Sequence, residues 1–125
     1  MVISLEEMGK KARQSAFELA QTPTSLKNAV LNKMADALIE KEEEILTQNR
    51  LDLEKASEMP QNFTDRLTLD HDRILGMAEG LRQIASLPDP VGERGEFSYR
   101  PSGIQLGKMR VPLGVVGIIY EARPN

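Results

Sequence analysis

Residues 113–119 read Leu-Gly-Val-Val-Gly-Ile-Ile, apolar without alternation and interrupted only by glycine. No other feature limits the fold as much. A strand with one wet face alternates apolar and polar residues, whereas a strand buried on both faces does not. The run suits the second kind, in a parallel sheet covered by helices. Parallel neighbours are reached through crossovers, and the sequence supplies none after Ile119. The sheet is therefore expected to be unfinished within these 125 residues, to be completed by another chain or by further polypeptide.

The first 88 residues carry helical periodicity. Leu5, Met8, Ala12, Ala16 and Leu19 recur at steps of three and four and make one apolar stripe. Ser4 is placed to cap that helix, with Glu6 and Glu7 in its first turn. Thr22 and Pro23 mark the next helix as its cap and first residue, with Leu31, Met34, Ala35 and Leu38 as its stripe. Helical character continues to about Ala56 without glycine or proline. Two helices meeting near Lys41 are favoured over one, because a single helix of that length is long for a globular domain. Residues 57–64, around Pro60, read as a loop. A last helix is expected from about Asp70 to Leu87, with Ile74, Met77, Ala78, Leu81, Ile84 and Ala85 on the helical template. Pro88 and Pro90 end it.

Beyond Pro90 the character changes. Gly92, Gly95, Gly103, Gly107, Gly114 and Gly117 disfavour helix. Residues 94–112 look like an extended hairpin that turns at Arg100-Pro101-Ser102-Gly103. In its second strand Ile104 and Leu106 share one face, and Met109 and Val111 the other. A face switch near Gly107 and Lys108 calls for a bulge, or for a strand that passes from one environment into another.

Composition narrows the function classes. Hydrophobic residues at 40% and charged residues at 28% are those of an ordinary folded domain. A net charge of -3 argues against general nucleic-acid binding, as do two tyrosines, three phenylalanines and no tryptophan, none grouped for base stacking. With no cysteine, disulfides, thiolate zinc sites and a cysteine nucleophile are excluded within the chain, and a single histidine excludes a multi-histidine metal site. No metal is expected. The opening MVISLEEMGKKARQ carries early glutamates and no signal-peptide core. No stretch approaches the ~18 apolar residues of a membrane span. A cytoplasmic location away from membranes is expected.

Few residues invite a chemical reading. Gly114–Gly117 (GVVG) lacks the Lys-Ser/Thr of a phosphate loop and sits inside the expected strand, so it reads as close packing. His71 could be a general base, but beside Asp70 and Asp72 at a helix start it reads as a solvated first-turn residue. The charges at 41–44 read as a solvated helix face. Residues 120–125, YEARPN, differ because they follow the expected strand at its carboxyl end, where open α/β sheets bind ligands. Arg123 can grip a carboxylate or phosphate through paired hydrogen bonds, and Asn125 can donate its amide to a developing oxyanion. A surface turn with an ordinary salt bridge stands as the equal alternative.

The same segment carries a resemblance. RVPLGVVGIIYEARPN resembles a segment of the gamma-glutamyl phosphate reductase (glutamate-5-semialdehyde dehydrogenase) family, within the aldehyde dehydrogenase superfamily. NRLDLEKA and DRLTLDHDRILGMAEGLRQIASLPDPVGE resemble the same family's N-terminal region, in the same order. The resemblance implies an α/β fold with N-terminal helices, a hairpin arm, and the first strand of an incomplete parallel Rossmann-like sheet. Residues 1–93 would then be the helical part of the cofactor-binding domain, 94–112 an arm that joins subunits, and 113–125 the first strand and active-site loop. It implies NADPH-dependent reduction of L-glutamyl 5-phosphate to L-glutamate 5-semialdehyde and phosphate, in proline biosynthesis, through a cysteine thioester. It also implies a homo-oligomeric enzyme.

The superfamily places an oxyanion-hole asparagine after this strand. An ungapped match puts Arg123 there, and a two-residue slip puts Asn125 there. Arg123 is thus expected to bind substrate and Asn125 to serve the oxyanion, while no cofactor residue is assigned. Because the chain has no cysteine, it is expected to be an N-terminal fragment, inactive alone, with apolar surface at 113–119 that promotes association. The competing expectation is a free-standing helical module that pairs its terminal strand with a partner.

Overall fold

A computed structural model describes residues 4–119 and Pro124 of the chain. The contacts divide it into two compact units. One is the chain to Pro23 with Pro88–Gly117; the other is Thr24–Leu87 with the chain from Ile118.

In the first unit, α1 spans Leu5–Ala20 and opens with a capping box. The Glu7 N–H donates to Ser4 Oγ at 3.2 Å, and the Ser4 N–H donates to Glu7 Oε2 at 3.1 Å, so two otherwise unpartnered donors of the first turn are satisfied. The cap stands where the sequence put it, but the expected stripe is not buried. No residue of α1 is buried, and Leu5 is 86% exposed. Periodicity shapes the helix, but burial needs a partner, and among the described residues only Ala12 and Ala16 of the stripe are even partly covered.

The hairpin of the same unit pairs β1 (Ser98–Tyr99) with β2 (Gln105–Leu106), antiparallel, with Ser98 opposite Leu106 and Tyr99 opposite Gln105. The turn is the expected one. The Gly103 N–H donates to Arg100 O and the Arg100 N–H to Ile104 O, both at 2.9 Å. Gly103 takes φ +82°, the left-handed conformation that a three-residue hairpin loop requires at this place. Pairing resumes at Arg94 and Met109. From 98 to 94 is four steps and from 106 to 109 is three. One strand therefore holds an extra residue, which is a bulge, though not where the face switch was expected. The extra residue lies on the first strand, not at Gly107 and Lys108. Gly107 answers to a different demand: a Cβ there would lie 2.7 Å from the Phe97 ring.

The buried strand expected over Leu113–Ile119 is not formed. These residues have no ladder partner among the described residues, and Leu113 is 94% exposed. Two physical reasons are visible. Gly114 takes φ +88°, which interrupts an extended strand. A strand buried on both faces also needs neighbours and covering helices, and no described residue supplies them.

The second unit is helical. Its elements are α2 (Thr24–Glu40), α3 (Glu42–Lys55), α4 (Gln61–Leu67) and α5 (His71–Ser86). α2 begins after Pro23, not on it. Thr22 turns back instead, donating its hydroxyl to Glu18 O at 2.9 Å. The expected break falls at Lys41, where φ is -101° and ψ 16°. Hydrogen bonds run across it, from the Lys41 N–H to Ala37 O and from the Ile45 N–H to Lys41 O, so the chain bends without unwinding.

Part of the expected loop around Pro60 is helix α4. Proline lacks only a donor that a first turn cannot use, and Pro60 sits outside α4 at φ -57°, accepting from the Phe63 N–H at 2.8 Å. α2 and α5 pack together. The buried apolar residues of this unit are Ala35 on α2, Ile74, Ala78 and Ala85 on α5, and Leu69 just before α5. Arg82 on α5 reaches Asp36 on α2 at 2.8 Å.

Candidate functional site

Arg123 and Asn125, the two expected site residues, lie outside the described residues. Pro124, between them in sequence, is half-buried and lines a cleft of about 340 Å³ with Lys41, Glu44, Ile45 and Gln48 of the second unit.

The best-defined polar cluster among the described residues lies where α3 and α5 begin. Asp70 caps α5, its Oδ1 accepting from the Arg73 N–H at 2.8 Å. His71 follows, and its Nδ1 stands 2.8 Å from Glu42 Oε1 in the first turn of α3. Twenty-nine residues separate the two in sequence, so sequence reasoning found each helix start but not their meeting. The cluster edges a cleft of about 620 Å³, also lined by Glu40, Glu43 and Arg50.

The hydrogen bond His71 makes to the Glu42 carboxylate, then the charge of Glu42, then the charges of Asp72 and Asp70 raise the His71 pKa above 6.5. A carboxylate that orients an imidazole is half of a catalytic arrangement. The other half, a serine, threonine, cysteine or tyrosine, is missing from the cleft's lining. The pair joins the start of α3 to the start of α5.

A folded-state pKa raised above the unfolded one gives stability that is present below about pH 6.5 and lost as pH rises through the higher folded value. His71 is the only histidine, so its imidazole protons can be followed by NMR without ambiguity. The expected midpoint lies above 6.5 and falls toward it in Glu42→Gln. A midpoint at or below 6.5 in the unaltered chain would contradict the pairing.

One buried polar residue holds the corner beneath this cluster. Asn49 on α3 is only 6% exposed. Its Nδ2 donates to Leu67 O, and its Oδ1 accepts from the Leu69 N–H, both at 2.8 Å. The Arg73 guanidinium adds a bond to Asp65 O at 2.8 Å and another to Thr68 O. Together they fix the α4–α5 connection and, through it, the place of Asp70 and His71. No group of three or more histidine, aspartate or glutamate side chains among the described residues could hold a metal ion.

The first unit carries a different kind of surface. α1 and residues 112–115 border an open, mostly apolar groove of about 520 Å³. Arg13 is the one charged residue along it, with its guanidinium 5.9 Å from the Phe17 ring.

No protein-family model matches the chain. Individual proteins do. The gamma-glutamyl phosphate reductase of Ligilactobacillus salivarius is 48% identical over 125 residues, which is all of this chain and 30% of that protein. Those of Carboxydothermus hydrogenoformans and Agathobacter rectalis are 52% and 50% identical over 94% and 97% of the chain, each match covering 29% of the relative. The chain is homologous to gamma-glutamyl phosphate reductase. It spans about 30% of the length of these relatives, at their N-terminal end. The crystal structure of the Thermotoga maritima gamma-glutamyl phosphate reductase gives a TM-score of 0.82 at 37% identity, over 88% of this chain and 27% of that one. Over the matched residues the fold is thus similar to that part of the Thermotoga maritima reductase. An end-to-end match to reductases disfavours the free-standing interaction module.

Proposed function

We propose that this chain serves as the N-terminal part of a gamma-glutamyl phosphate reductase, reducing L-glutamyl 5-phosphate to L-glutamate 5-semialdehyde and phosphate in the cytoplasmic synthesis of proline. The observation that carries this is identity near 50% along almost the whole chain to three such enzymes. The chain has no cysteine. The thiolate that displaces phosphate from the acyl group therefore belongs to the part of the enzyme that these residues do not match.

NADPH would supply the hydride. The described residues do not fit that cofactor. Gly114 and Gly117 lie in an exposed segment and open no described helix, so no row of N–H groups faces a pyrophosphate. The contribution of this chain is architectural, with Arg123 offered to the substrate anion and Asn125 to the oxyanion. In the whole enzyme residues 113–119 become the first strand of a parallel Rossmann-like sheet of aldehyde dehydrogenase type, and residues 94–112 the arm between subunits of a homo-oligomer. Exposed apolar side chains at 113–119 and along the hairpin support both assignments, because such surfaces mark places that another element covers. Among the described residues no helix is long and apolar enough to cross a membrane.

A chimera provides the test. This chain replaces the matched 125 residues of the L. salivarius reductase, and the gene is placed in a proline auxotroph that lacks its own reductase. Growth without proline is expected from the chimera and not from the 125-residue chain alone. A soluble chimera that leaves the strain auxotrophic would contradict the proposal.

A further inference from the structure

We propose that the groove of the first unit, between α1 and residues 112–115, seats an apolar segment of the reductase polypeptide beyond the matched 30%, with a carboxylate of that segment opposite Arg13. The inference rests on the proposed function and deepens it, because it names the surface by which this chain joins the rest of the enzyme.

Four observations converge on it. α1 is a 16-residue helix with no buried residue. An isolated helix of that length is marginal in water, so its apolar residues need a partner. Gly9, Arg13, Ala16, Phe17 and Ala20, spaced to lie along one side of α1, meet Val115 around a space of about 520 Å³, which is room for several side chains. Arg13 makes no ion pair among the described residues, and its guanidinium stands over the Phe17 ring. A lone cation beside an apolar groove selects a segment that is apolar and carries one acid. Finally, the relatives are about three times as long as this chain, so the reductase reading itself supplies the polypeptide that would fill the space. A second copy of the chain fits less well, since the groove of each copy presents the same cation, Arg13, and no acid.

The chain has no cysteine, so a single introduced thiol reports on one place. Ala20→Cys puts a thiol on the groove, and Lys11→Cys puts one on the opposite side of α1. Maleimide labelling of each is followed peptide by peptide by mass spectrometry, in the 125-residue chain and in the L. salivarius chimera. Both thiols are expected to label freely in the isolated chain. In the active chimera the thiol at 20 is expected to label at least about 100-fold more slowly, as a site reached only by local opening, while the thiol at 11 stays fast. In the same chimera Arg13→Glu is expected to release much of that protection, and Arg13→Lys to keep most of it.

Fast labelling at 20 in a chimera that retains reductase activity would overturn the inference and leave the reductase proposal standing. An inactive chimera would overturn both. Protection at 20 in the isolated chain that grows with its concentration would assign the groove to a second copy and also overturn the inference.

Discussion

Asn49→Leu is expected to destabilise the helical unit by about 1–3 kcal/mol, because it strands one buried and one part-buried backbone group at once. Leucine is close to asparagine in size, so little volume is lost. What disappears is the bracket in which the side chain donates to Leu67 O and accepts from the Leu69 N–H. Both groups sit in the connection between α4 and α5, and a buried residue on α3 keeps water from replacing the lost partner. Urea unfolding followed by helical circular dichroism should show the midpoint falling by roughly 1–2 M. Asn49→Asp separates the two bonds. It keeps an acceptor for the Leu69 N–H but faces Leu67 O with a second oxygen, so a loss of similar size is expected near neutral pH, easing in acid as the carboxyl protonates and can donate again. Changing the neighbouring exposed Gln48 to alanine should cost well under 1 kcal/mol. Equal stability of Asn49→Leu and the unaltered chain would show that the bracket contributes nothing.

The second large effect belongs to the seam between α2 and α5. Among the described residues Ile74 is the largest side chain with no exposure, and Ala35, Ala78 and Ala85 are buried on the same two helices. Ile74 is the one large side chain among the fully buried residues of the two helices, the others being alanines. Ile74→Ala is expected to cost about 2–5 kcal/mol through lost burial and the cavity left behind, and Ile74→Val about 0.5–1.5 kcal/mol. The grading is the informative part, and the same urea titration reads it. Alanine and valine variants that unfold together, or an alanine variant within about 0.5 kcal/mol of the unaltered chain, would mean that this seam is not the core.

These effects also mark where the sequence was legible and where it was not. The Ser4 cap, the bend at Lys41, the α5 start at Asp70 and the Arg100–Gly103 turn all came through, because each depends on residues within one turn of helix or one loop. α4 was hidden because Pro60 reads as a breaker, whereas it stands just outside a helix that it can precede. The Asn49 bracket and the Glu42–His71 pair were hidden for another reason. Their partners lie 18, 20 and 29 residues away, and no local pattern records which helix starts will meet. The strand expected at 113–119 is not formed, because a strand buried on both faces depends on neighbours that no described residue provides. The two residues proposed for the chemistry, Arg123 and Asn125, were reached through resemblance together with the rule that ligands gather at the carboxyl ends of sheet strands.

The central claim is that these residues carry the N-terminal architecture of a gamma-glutamyl phosphate reductase. Its most direct test is the rate of the purified L. salivarius chimera in the reverse reaction, the phosphate-dependent reduction of NADP⁺ by L-glutamate 5-semialdehyde. With identity of 48% across the exchanged segment, a rate within about tenfold of the parent is expected, a barrier change of no more than about 1.4 kcal/mol. A folded, soluble chimera with no phosphate-dependent reduction of NADP⁺ would contradict the account.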